Sequence, residues 1–209
     1  QNLPVIYSQP LQDAMFAFSA SFEGSENIRW GLVAGPITTL GTERLRILSP
    51  LAPFDVFLPS LAAISESRGS LEMLKDALFL SVRNLGNPLE IPLNLQRPVW
   101  NGVSSDPPVD LFTIAWRDDA DQVVIIFTDE EAQSYLDPQI SNDFLVQLML
   151  TFERLSVHVF SAENDEAAIN GDSWRPLCVG GAHHSLTFDA VEMFTEMMNI
   201  IDEEVCGNE

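Results

Sequence analysis

Gln122-Val123-Val124-Ile125-Ile126-Phe127-Thr128 places five apolar residues in a row between two polar ones. Mostly β-branched and too short for a helix, the run reads as a strand buried on both faces, the kind that helices cover in an α/β sheet. Downstream, the acidic turn Asp129-Glu130-Glu131 precedes a helix expected over Ser141–Phe152 and a second buried strand at Ser156–Ser161. A polar loop then leads to a last helix near Phe188–Glu204, whose Met193, Phe194, Met197 and Met198 suit packing on the sheet. Upstream, Leu11, Ala14, Met15, Phe18 and Phe22 recur at three- and four-residue spacing and predict a helix ending near Gly24.

Between these regions, Ile28–Ala34 reads as a buried strand, and Thr38–Leu48 as a hairpin about Gly41 leading into a strand at Leu45–Leu48. Pro50 to Pro59 is too proline-rich for a central strand and points to a short helix around Leu58–Ile64. Ser70 fits an N-cap, with Leu71, Leu74, Leu78 and Val82 as the inner stripe of a long helix. Gly86–Asp110 reads as a long proline-marked loop in which Trp100 is a candidate contact residue. Alternating strands and helices predict one α/β domain over residues 1–209, a Rossmann-like, doubly wound and mostly parallel sheet. Residues 162–209 form a C-terminal extension to it.

Acidic residues outnumber basic ones by 31 to 10, a formal charge of -21. Such a surface repels phosphate backbones and anionic membranes, which excludes nucleic acid as an expected partner. No apolar run approaches the ~20 residues of a membrane-spanning helix. Cys178 and Cys206 are the two cysteines. A bridge between them, worth roughly 3 kcal/mol by loop closure, is expected and favours an exported, oxidising setting. The chain starts at Gln1 and is expected to be processed or partial; no Asn-x-Ser/Thr sequon occurs, which favours a bacterial source.

The segment Trp116-Arg117-Asp118-Asp119-Ala120-Asp121 running into Gln122–Thr128 and Asp129-Glu130-Glu131 resembles von Willebrand factor A-type domains of bacterial exported proteins. Arg29–Ala34 resembles that family's second strand, and Gly69-Ser70-Leu71-Glu72 the loop and helix after its third. The resemblance spans roughly Leu11 to Ser161 and implies a metal-ion adhesion site built from three loops. Asp129 matches the third loop and Ser70 the second, hard oxygen ligands suited to Mg²⁺ or Ca²⁺. The first loop's Asp-x-Ser-x-Ser does not occur; Tyr7-Ser8-Gln9-Pro10-Leu11 stands near its place. Strand one is then degenerate, or lies outside this polypeptide. The implied site is incomplete, with Glu130, Glu131 and Trp100 as partner-facing residues.

Competing chemistries find little purchase. The three histidines, His158, His183 and His184, lack metal-ligand spacing, and His158 reads as a loosely buried or edge residue. There is no Gly-x-Ser-x-Gly elbow and no phosphate loop. The expected function is non-catalytic protein–protein interaction or adhesion by a secreted, periplasmic or cell-surface protein. The alternatives are a structural subunit whose sheet edge a neighbouring chain completes, in a hetero- or homo-assembly, and a hydrolase using an acidic cluster.

Overall fold

The computed structural model describes residues 5–25, 27–35, 44–61, 73–83, 85, 91, 93–96, 98–100, 104–106, 108–162, 172–187 and 189–202. Its first half contains helix α1 (Val5–Ala20), strands β1 (Trp30–Ala34) and β2 (Arg44–Ala52), and helices α2 (Phe54–Leu61), α3 (Leu74–Val82) and α4 (Leu93–Gln96). Short strands β3 (Val99–Trp100) and β4 (Ser104–Asp106) follow. The second half runs β5 (Gln122–Thr128), β6 (Leu136–Asp137), α5 (Asn142–Met149), β7 (Leu155–Ala162), β8 (His183–Leu186) and α6 (Ala190–Ile201).

β5, β7 and β8 form a parallel three-stranded sheet in that order, with Gln122–Thr128 in register with Leu155–Ser161. Helices cover both its faces. Val123, Ile125, Phe127 and Phe160 pack with Leu11, Ala14 and Phe18 of α1 and Met193, Met197 and Ile200 of α6. Val124, Ile126, Val157 and Val159 turn the other way, into the main core with α3 and α5. The period of two along β5 thus divides its side chains between two helical layers. Helix ends follow local chemistry: Ser141 Oγ accepts from Phe144 N at 3.2 Å to cap α5, and Asp189 Oδ1 accepts from Val191 N at 2.8 Å to cap α6.

The architecture is mixed α/β in a single domain, but it differs from one mostly parallel sheet. β1 pairs antiparallel with β2, β2 pairs parallel with β4, and β3–β6 is a separate antiparallel pair. β2 also runs on through Pro50 to Ala52, where a strand was not expected. Its register against β1 slips there, Trp30 facing Ala52 and Leu32 facing Ser49, so Pro50 and Leu51 together oppose Gly31. A bulge of this kind leaves a residue outside the ladder and accommodates a proline without an N–H.

Other boundaries move as well. α1 continues back through Pro10 to Val5, so Val5–Tyr7 is helical. α2 begins at Phe54 rather than Leu58. α3 starts at Leu74, and its residues from Lys75 to Val82 are buried all round rather than along one stripe. The expected loop Gly86–Asp110 carries α4, β3, β4 and a 3-10 turn starting at Val109. Among the described residues, no helix is long and apolar enough to cross a membrane.

Candidate functional site

In a parallel α/β sheet, ligands sit beyond the C-terminal strand ends. β5 ends there in Thr128, which is fully buried, followed by half-buried Asp129 and Glu130 and exposed Glu131. The turn is held rigidly. Thr128 Oγ1 accepts from Glu130 N at 3.0 Å, and the buried indole of Trp174 donates to Glu130 O at 2.8 Å. Ala132 N donates to Ser173 Oγ at 2.9 Å, and Asn142 Nδ2 donates to Ser173 O at 3.0 Å. Lys75 Nζ then donates to Asn142 Oδ1 at 3.0 Å, tying the C-terminal segment, α5 and α3 together.

Behind this turn lies a buried carboxyl that sequence reading missed. Asp76 is fully buried and accepts from Ser134 Oγ and Tyr135 N, both at 2.6 Å. Ser134 Oγ in turn accepts from Ile140 N at 3.0 Å. Burial pushes the Asp76 carboxyl up to about 6, even though its hydrogen bonds and Lys75 favour the charged form. Burial likewise lowers Lys75, against the pull of Asp76. The pair fixes the chain from Ser134 to Ile140 and with it the acidic turn upstream. One hint was available in the sequence: Lys75-Asp76 falls within an otherwise apolar helix, where charges need partners.

Of the sequence-derived site residues, the structure brings Asp129, Glu130 and Glu131 to one edge of this network. Trp100 joins the same region through β3, being paired with Leu136 of β6. It is half-buried against the main core, with no hydrogen-bond partner for its buried Nε1 among the described residues. It pins the segment to the body rather than standing out as an exposed anchor. Ser70 lies outside the described residues, and no cluster of three metal-ligating side chains occurs among those described. Cys178 is a free thiol that donates to Trp174 O at 3.6 Å, and burial pushes it up to about 11. Its expected partner, Cys206, lies outside the described residues.

The histidines form a second group. His158 stands in the central strand β7 at 3% exposure, which corrects the reading of a loose or edge residue. Parallel pairing sets Phe160 opposite His184, so Phe127, Phe160, His184 and His158 stack across the sheet, with centroids of successive rings 4.6 to 5.4 Å apart. His158 Nδ1 lies 3.1 Å from His184 Nε2 and also accepts from Ala182 N at 3.4 Å. The proton between the rings therefore belongs to His184. Its other nitrogen is 3.5 Å from Glu196 of α6, at a cleft of about 290 Å³. Burial and the neighbouring His184 lower His158 to about 4, so it remains neutral at physiological pH. His183 points to the other face, 2.7 Å from the Oγ of Ser161. This pair has the composition of a nucleophile and base, but the Ser161 side chain is fully buried and unreachable by substrate.

Comparison with known protein families, with curated proteins and with solved structures finds no match for this chain. The likeness to von Willebrand factor A-type domains rests on the sequence stretches themselves.

Proposed function

We propose that the chain is a non-catalytic protein-interaction module of an exported protein, acting through the acidic turn beyond β5. The observation that carries this reading is the construction of the turn. Asp129, Glu130 and Glu131 sit at the ligand-bearing end of a parallel sheet, on a backbone locked by Thr128, Ser173 and Trp174. A rigid, charged loop loses little entropy on binding. Its charge favours a basic protein surface, and the resemblance to adhesion domains fits the same place. The adhesion-type metal site is incomplete in this reading, so partner contacts are made without a cation.

The test is selection from a random peptide library displayed on phage, using the immobilised chain. Selected peptides are expected to be basic. They should lose binding to the Asp129→Ala/Glu130→Ala/Glu131→Ala variant, whose melting temperature should match that of the parent. Peptides indifferent to these substitutions would refute the assignment of the surface.

A second reading is a subunit of an extracellular or envelope assembly whose sheet is completed by a neighbouring chain. It is favoured by the edges of β1 and β5, each of which has one partner strand among those described. Sedimentation of the purified chain with candidate assembly components reads it directly.

A further inference from the structure

Three polar side chains join the central strand β7 to the last helix across the cleft beside α6. His158 of β7, His184 of β8 and Glu196 of α6 follow one another, with His158 Nδ1 3.1 Å from His184 Nε2 and His184 Nδ1 3.5 Å from Glu196 Oε2. Glu192, one turn before Glu196, lines the same cleft with Ser185 and Thr187. The His184 ring is held in orientation by stacking, 4.6 Å from Phe160 and 5.4 Å from His158 between centroids. Its side chain is 15% exposed and that of Glu196 is 46% exposed.

The donors around these rings fix where the protons sit. Ala182 N donates to His158 Nδ1, so that nitrogen carries a lone pair. His184 Nε2 faces the same lone pair and donates to it. This leaves His184 Nδ1 toward the Glu196 carboxylate. A ring with a single proton would set a lone pair against the carboxylate oxygen, whereas a doubly protonated ring donates at both ends. Histidine is the side chain whose ordinary value, about 6.5, puts that change within the physiological range.

We propose that His158, His184 and Glu196 form a pH-dependent clasp, which ties α6 to β8 while His184 carries two protons and slackens when it carries one. Among the described residues, the titratable groups lining this side of the ring are Glu196 and Glu192 of α6, both acidic, and His158 of β7. His183, the neighbour on β8, turns to the other face and bonds to Ser161 Oγ. Because His158 stays neutral down to about 4, it keeps its lone pair for His184 until well below the physiological range. The clasp is therefore closed in mild acid and lost as pH rises through the titration of His184. Met193, Met197 and Ile200 still bury α6 against α1 and the sheet, so the helix stays docked and only the hold on its cleft side changes.

The test compares hydrogen exchange over 190–201 in the full chain and in Glu196→Gln, read by mass spectrometry at pH 5.5 and again at pH 8. Glutamine keeps the shape of the side chain and removes its charge. At pH 5.5 the parent is expected to exchange roughly two- to fivefold more slowly than the variant, the range of a partly exposed ion pair. At pH 8 that advantage should be gone or reversed, since the glutamine amide can donate to a singly protonated ring. Nitrogen chemical shifts of the His184 ring in the parent give a readout that packing alone would not move. Both nitrogens should be protonated at pH 5.5, and Nε2 alone at pH 8. Three results would overturn the clasp: a ring with one proton at pH 5.5, a ring protonated on Nδ1 alone at pH 8, or a parent-to-variant exchange ratio that is the same at both pH values.

Discussion

Replacing Asp76 by asparagine should stabilise the protein, and increasingly so as pH rises. Asp76 has an ordinary value of 3.8 and is held at about 6 by burial. A carboxyl whose folded value is raised binds more protons in the folded state than in the unfolded one, so its contribution to stability falls as pH climbs through that window. With 1.36 kcal/mol per tenfold, the raised value costs about 3 kcal/mol of stability at pH 8, and roughly half of that at pH 5, where Asp76 is mostly protonated when folded. Asparagine can still accept from Tyr135 N through its Oδ1, and with the Ser134 hydroxyl turned its Nδ2 donates to Ser134 Oγ, reversing that bond while removing the charge. The difference in unfolding free energy between Asp76→Asn and the parent should therefore grow by about 1 kcal/mol between pH 5 and pH 8. Urea unfolding followed by tryptophan fluorescence at each pH gives that difference directly. A difference that stays flat or shrinks with rising pH would refute the account of the buried network.

His158 works in the opposite sense. Its folded value is lowered from 6.5 to about 4, so its contribution is present above pH 6.5 and lost as pH falls toward 4. An NMR titration of the histidine ring protons should find one ring that does not titrate between pH 5 and pH 8; three normal titrations would contradict this. Cys178, pushed up to about 11, should resist iodoacetamide at pH 8 in the folded chain and react in urea, as read by peptide mapping. Gly181→Ala would set a methyl 2.5 Å from Val157 O and 2.9 Å from His158 Nε2. It should cost about 2–3 kcal/mol in urea unfolding, whereas Gly24→Ala, with open space around its Cβ position, should cost less despite its positive φ.

The parts of the fold legible in the sequence were those whose signal is local. β5 and β7 announced themselves as continuous apolar runs, and α6 by Met193, Phe194, Met197 and Met198 at helical spacing. What escaped depends on pairing across the sheet. Pro50 argued against a strand, because the bulge that admits it exists only once β1 lies alongside. His158 and His184 are 26 residues apart and meet only through the β7–β8 register. Likewise the partners of Asp76, Ser134 and Tyr135, lie 58 and 59 residues along the chain and meet it only in the fold. The acidic turn was legible as a candidate site, but the Trp174 and Ser173 contacts that hold it come from 41 or more residues away.

The most direct test of the central claim is calorimetry on a peptide selected against the acidic turn, performed in EDTA and in millimolar Mg²⁺ or Ca²⁺, with the parent chain and Asp129→Ala. The account predicts equal affinity with and without the cation, no heat from the metals alone, and weakened peptide binding in the variant. Binding that requires the cation, or metal heat that disappears in Asp129→Ala, would contradict a cation-free interaction surface.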